Sequence, residues 1–147
     1  MKKILFLDFD GVLHADIEAR QFTKLREFAS CMAKMDEVEI VISSSWREAY
    51  SLEQLLNIFP AALRGRIVGL TPILEDRFEK GGRQREIEAY LQAASLHHGN
   101  AAWVALDDMI DFFDDNCPFL ILVDASRAFG EEEADKLLAW YAAAGAS

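Results

Sequence analysis

The chain is sparing with the residues that mark most specialised architectures. It has two cysteines, Cys31 and Cys117, with no CxxC pair. That excludes a disulfide framework or a thiolate zinc site as an organising device, and both cysteines read as reduced core thiols. Three prolines and eight glycines are too few and too scattered for a linker or low-complexity tract. No segment repeats at a fixed period, which excludes a solenoid. No apolar run approaches the roughly 18 residues of a membrane helix, so no membrane partner is expected. The opening MKKILFL has the charged and apolar parts of a signal peptide, but Asp8 and Asp10 end the apolar run after four residues. Export by that route is not expected, and the setting read from these features is cytoplasmic. Basic residues are also in deficit, 15 against 25 acids for a net charge of −10, which opposes broad electrostatic attachment to nucleic acid or anionic lipid. The deficit is uneven. Residues 64–85 hold six bases (Arg64, Arg66, Arg77, Lys80, Arg83, Arg85) against three acids, whereas 86–147 hold twelve acids against two bases.

What is present is ordinary globular material: 52% hydrophobic and 27% charged residues over 147 positions, the usual size of one domain, here 1–147. Ile4 to Leu7 is a short apolar run of the kind a strand buried on both faces shows. The spacing of Phe22, Leu25, Phe28, Ala29 and Met32 predicts a helix over 20–34. Val38 to Ile42 is a second strand. Leu52, Leu55, Leu56 and Phe59 predict an amphipathic helix that Pro60 ends. Ile67 to Leu70 is a third strand, and Ile87, Tyr90, Leu91 and Ala94 mark a helix that starts from the Lys80-Gly81-Gly82-Arg83 turn and stops near Gly99. Trp103 to Leu106 and Phe119 to Val123 complete the strands. Glu131 to Ala144 is the last helix, with three glutamates in its first turn, where the helix dipole favours them. Strands and helices alternate throughout, which predicts an α/β fold: about five parallel strands with helices on both faces and the ligand site at the carboxyl ends of the strands.

Three polar clusters fall at such strand ends: Asp8 and Asp10 with Gly11 behind them, Ser43 to Ser45, and Asp107 with Asp108. The basic start of the helix near Arg83 is a fourth. Carboxylates converging on one rim raise one another's pKa and call for a counter-charge. A set of oxygen donors without histidine or thiolate favours magnesium over zinc. Such a site suits an incoming phosphate and a carboxylate nucleophile.

The pattern Asp8-Phe9-Asp10-Gly11-Val12-Leu13, a serine after the second strand, a basic residue before a helix, and Asp107-Asp108 resembles the haloacid dehalogenase (HAD) superfamily. The likeness is nearest to small HAD domains related to those in multidomain RNA-repair proteins, with SSSWR at 43–47, R-x-x-E-I at 83–87 and LDD at 106–108. It implies a three-layer, Rossmann-like fold and a magnesium-dependent phosphomonoesterase. Asp8 would attack phosphorus and ligate the metal. Asp10 would protonate the leaving group, then activate water, while its backbone carbonyl also binds the metal. Asp107 and Asp108 would complete the metal site. A serine would hold the phosphoryl oxygens: counting back from Trp46 favours Ser44, yet Ser43 is nearer the apolar run. For the basic group Arg83 fits the related domains better than Lys80, and its forked donors suit phosphate. Ser43, Lys80 and Arg47 are expected to line the substrate.

Other residues take plainer readings. His14, His97 and His98 lie away from the clusters and read as surface or helix-end residues. Trp46, Trp103 and Trp140 read as core, with Trp46 able to wall the site. Asp111 reads as a further carboxylate behind the metal ligands, and Asp114 and Asp115 as loop acids. A phosphoprotein phosphatase and a non-catalytic phosphate-binding module are the alternative functions. A response-regulator receiver is excluded because Gly69-Leu70-Thr71 stands where its phosphoacceptor aspartate belongs. Only 26 residues separate Gly11 from Val38, too few for a cap domain. An open site that admits the phosphorylated end of a large molecule, such as an oligonucleotide, follows from that.

Overall fold

A computed structural model describes residues 1–16 and 19–145. Five strands form one wholly parallel sheet: β1 (Lys2–Leu7), β2 (Val38–Ile42), β3 (Ile67–Leu70), β4 (Ala101–Asp107) and β5 (Leu120–Leu122), in the order β3-β2-β1-β4-β5. The helices are α1 (Leu25–Met32), α2 (Leu52–Leu56), α3 (Ala61–Arg64), α4 (Gly82–Ala93) and α5 (Glu131–Gly145).

Side-chain alternation along the strands sorts the core into two layers. Leu5, Leu7, Val38, Ile40, Ile42, Val104 and Leu106 face one way, against Phe28 and Met32 of α1, Leu55 of α2, Leu63 of α3 and Leu137 of α5. Ile4, Phe6, Val41, Trp103 and Ala105 face the other way, against Ile87 and Leu91 of α4. This is the expected three-layer α/β arrangement. From β1 the chain steps outward to β2 and β3, then α4 carries it back across the opposite face to β4 on the far side of β1. The switch in direction therefore lies between β1 and β4, where a crevice opens at the strand ends. Between β1 and β2 the described residues hold no helix but α1 and no strand, so no cap is inserted there.

Three helix boundaries differ from expectation, each for a local reason. The helix expected over 20–34 spans only Leu25–Met32. Phe22 takes a left-handed backbone (φ 59°) and turns its ring onto Phe9, His14 and Trp46, so it joins the strand-end crevice instead of the helix. Pro60 does not simply stop a helix. The segment breaks after Leu56, and Pro60 in extended conformation precedes the separate turn of α3. The helix expected to run to near Gly99 ends at Ala93, and Ser95 follows with φ 58°.

A buried ion pair ties the outer half of this frame together. Arg47 Nη2 lies 2.6 Å from Glu86 Oε2 of α4, with the two side chains 1% and 2% exposed. Arg47 also donates to the carbonyls of Ser43, Ser44, Thr71 and Pro72, and Glu86 accepts from the backbone N–H of Leu74. The ends of β2 and β3 and the first turns of α4 are thus held by one guanidinium. Removing one partner of such a pair leaves an uncompensated buried charge, a cost of about 3–5 kcal/mol. Glu86→Leu and Arg47→Met should each lower unfolding free energy by about that amount in urea titrations. The double variant Arg47→Met/Glu86→Leu should lose much less than the two single losses combined, whereas simple additivity would show that the pair is not coupled.

Candidate active site

The register of the sheet places the polar strand ends in one row. Leu7 pairs with Ile42 and Leu106, and Ile42 with Leu70. The next residues, Asp8, Ser43, Asp107 and Thr71, therefore stand side by side across β1, β2, β4 and β3, and backbone bonds from Asp8 N to Leu106 O, Ser43 N to Leu7 O and Thr71 N to Ile42 O continue the ladder to that level. Asp8 follows Ile4 and Phe6 in the two-residue alternation, Ser43 follows Val41, and Asp107 follows Trp103 and Ala105, so all three face α4.

Arg83 arrives on that face from the first turn of α4. Gly81 before it is left-handed (φ 75°), and a Cβ on Gly82 would strike the backbone carbonyl of Arg77, so only glycine lets the helix begin this close. Arg83 Nη1 lies 2.7 Å from Asp107 Oδ2 and 3.4 Å from Asp8 Oδ2, and the guanidinium sits over the Phe112 ring at 5.1 Å. Asp108 completes the acidic group: one carboxylate oxygen from each of Asp8, Asp107 and Asp108 lies within 4.8 Å of the others. Gly11 (φ 77°) admits Asp108, because a Cβ there would collide with its carboxylate.

These charges do not balance. Burial first, then the neighbouring Asp107, pushes the Asp8 carboxyl well above the usual range. Burial also raises Asp107, although Arg83 works against it. Burial alone would lower the Arg83 pKa, but Asp107 and Asp8 more than reverse this and hold it firmly charged. Three carboxylates against one guanidinium leave a deficit of two positive charges, which a divalent cation with oxygen ligands matches. The donor set fits magnesium on this ground. Among the described residues four buried side-chain atoms have no hydrogen-bond partner, Ser43 Oγ, Thr71 Oγ1, Arg77 Nε and Arg83 Nε, and all but Arg77 Nε belong to this row or touch it. Buried polar groups normally have partners, so Ser43 Oγ, Thr71 Oγ1 and Arg83 Nε leave hydrogen-bonding capacity at the row.

The remaining expected residues divide. Ser44 is buried on the opposite side of the strand end, where its Oγ accepts the Trp46 N–H at 3.2 Å and caps a 3₁₀ turn (Ser45–Glu48). Geometry therefore sets Ser43, not Ser44, beside Asp8. Lys80 is exposed and pairs with Asp115 at 2.8 Å, while Arg83 is the basic residue among the carboxylates. Arg47, expected to line the substrate, is buried with its donors taken by Glu86 and four carbonyls. The Asp10 side chain stands outside the acidic group and is 58% exposed. Its Oδ1 is 2.7 Å from His14 Nε2, and the Trp46 indole Nε1–H donates to Oδ1 at 3.2 Å and Oδ2 at 3.1 Å. Reading His14 as a surface residue is thus overturned: it is 6% exposed and bonded to Asp10. His97 and His98 are exposed. The basic run 64–85 does not make a patch, because Arg64 and Arg66 donate to backbone carbonyls, Arg66 at the amino end of β3, and Arg77 and Arg85 pair with Glu48 and Asp76.

A family model described as the HAD domain in Swiss Army Knife RNA repair proteins matches residues 4–134. The chain belongs to this HAD family. The match runs from β1 into α5 and takes in every element that builds the row. No curated protein and no solved structure matches the chain. The HAD membership points to phosphatase-like chemistry, and the acidic group of Asp8, Asp107 and Asp108 is compatible with the magnesium that HAD proteins generally use. No helix among the described residues is long and apolar enough to cross a membrane.

The raised Asp8 pKa makes metal binding and stability depend on pH in a defined direction. Without metal, the folded state holds the Asp8 proton where the unfolded chain has released it, so that contribution to stability is present at acid pH and fades as pH rises through the raised pKa. A cation requires the ionised carboxylate and displaces the proton. The rise in Tm on adding saturating magnesium should therefore be absent below the ordinary carboxylate range and grow as pH climbs through the Asp8 titration. A magnesium effect equal at pH 4 and pH 8 would exclude Asp8 as a ligand.

Proposed function

We propose that the protein is a magnesium-dependent phosphomonoesterase that works through an aspartyl-phosphate on Asp8. The observation that carries this reading is the row itself: a buried carboxylate at the switch point, flanked by the unpartnered Ser43 Oγ on one side and by Arg83 with Asp107 on the other. Asp8, Asp107 and Asp108 would hold the metal, which when bound supplies positive charge beside the phosphoryl group. Asp8 attacks phosphorus and takes the phosphoryl group, and the bond to the leaving oxygen breaks. Asp10, two residues on and solvent-facing, gives that oxygen a proton. It then takes a proton from a water that attacks the aspartyl-phosphate, releasing inorganic phosphate and restoring Asp8. Ser43 Oγ–H and the Arg83 guanidinium donate to the phosphoryl oxygens, whose charge is greatest in transfer, so positioning and electrostatics do most of the work.

The substrate reading is the phosphorylated end of a nucleic acid. Three features support it. The site lacks a cap among the described residues. Tyr50 is 47% exposed and its ring lies 5.6 Å from that of Trp46, which itself touches Asp10. Aromatic faces beside a reactive centre suit stacking of a terminal base, worth about 1–3 kcal/mol per base. The family description also places such domains in RNA repair proteins. With the arginines of 64–85 largely engaged elsewhere, phosphate contacts would be few and the salt dependence shallow.

Wild-type protein with magnesium should release phosphate from an aryl phosphate and from phosphorylated oligonucleotide ends, more efficiently from the latter than from the matching mononucleotide. Asp8→Asn should abolish turnover without lowering Tm, and chelation should silence the wild type. Turnover that survives full chelation rules out the metal, equal efficiency on mononucleotide and oligonucleotide rules out the extended substrate, and preference for a phosphopeptide transfers the protein to phosphoprotein chemistry. Between the serines, Ser43→Ala should cost more in kcat/KM than Ser44→Ala, by about tenfold or more for the loss of a donor to a charged acceptor. The reverse order would return the role to Ser44.

A further inference from the structure

His14 has a more specific place than a buried histidine needs. The turn after β1 folds back so that Gly11 N–H donates to the His14 carbonyl at 2.9 Å and the two residues Asp10 and His14 form an isolated bridge. This brings the imidazole beneath the Asp10 carboxylate. The ring is enclosed by Phe22, edge to face at 5.1 Å, and by Trp46 at 6.4 Å. Its other nitrogen is committed: Phe22 N–H donates to His14 Nδ1 at 3.1 Å. A nitrogen that accepts a hydrogen bond carries no proton, so the hydrogen of the neutral ring is on Nε2 and points at Asp10 Oδ1, 2.7 Å away. The left-handed backbone of Phe22, unusual for an aromatic residue, is what aims that N–H.

The lone pairs of Asp10 can then be counted. Each carboxylate oxygen has two. Among the described residues, Oδ1 receives His14 Nε2–H and a share of the Trp46 indole N–H, and Oδ2 receives only the other share of the indole. Oδ1 is full, while Oδ2 keeps a lone pair on a side chain that is 58% exposed. We propose that His14 is a positioning residue for Asp10: with Trp46 it clamps the carboxylate so that Oδ2 alone exchanges protons with leaving group and water. The catalytic consequence rests on the phosphomonoesterase reading above, but the clamp itself does not.

Two sets of measurements separate the clamp from that reading. In NMR of the nitrogen-labelled wild type, His14 should show the neutral Nε2–H tautomer. Replacing Asp10 by alanine should move both the His14 Nε2–H and the Trp46 indole resonances. An Nδ1–H tautomer, or resonances that stay in place, overturns the clamp whether or not the protein is active. In kinetics, His14→Ala should lower kcat by about 100-fold, the scale of a misplaced catalytic group, with KM within about twofold. Trp46→Phe should lower kcat in the same sense, and the double variant should lose less than the product of the single losses, since both act on one carboxylate. The magnesium midpoint should not move in either variant. A change confined to KM, or kcat unchanged in His14→Ala, overturns the positioning role. Wild type inactive on every phosphomonoester removes the enzymatic reading and leaves the NMR result to decide the clamp.

Discussion

One guanidinium shared by two buried carboxylates is the constraint on which the rest of the site depends. Asp8 and Asp107 are adjacent because β1 and β4 pair in register, and both are removed from water by α4. Burying two like charges side by side is costly unless a cation lies between them. Arg83 reaches both only because α4 starts at Gly81-Gly82, where the backbone is left-handed and then pressed against Arg77. The sheet register, the glycine start of α4 and the acidic row are thus a single requirement. One arginine offsets one of three carboxylates, and the negative charge left over is what suits the centre to a divalent cation.

Asp10 belongs to a separate environment. Asp8 lies on the α4 face of the sheet, whereas the residues that hold Asp10 come from the opposite face, where Phe9, Phe22 and Trp46 pack with α1 and α2. Two positions along the chain span the thickness of the sheet. Asp8 and Asp10 therefore sit in different surroundings, one desolvated and the other solvent-facing and held by ring N–H groups.

Much of this was legible in the sequence. Apolar runs stopped by polar residues marked the carboxyl ends of all five strands to within one residue, and alternation with helices pointed to the parallel three-layer order. The basic partner was also readable, since Arg83 follows the glycine pair. The face on which each serine lies was readable in principle: carrying the two-residue alternation of β2 one step past Ile42 puts Ser43 on the face of Asp8, whereas counting back from Trp46, which favours Ser44, does not use the sheet. His14 was harder. Its spacing of four from Asp10 across Gly11 is a faint signal, and the decisive partner, the Phe22 N–H, depends on a backbone conformation that helical periodicity misreads. Arg47 could not be placed from local pattern at all, because its burial is licensed by Glu86 on a distant helix.

The manner in which Arg47 holds its neighbours bears on how such a chain can diverge. It grips the ends of β2 and β3 through four carbonyl oxygens, groups that every amino acid supplies. As far as this grip is concerned, Thr71 and Pro72 can drift to other residues without loosening it. Positions 47 and 86 have no such freedom, since their bond is between side chains, and they must change together or not at all. The side chains beyond β3 can therefore change across generations while the scaffold that aligns the row stays fixed.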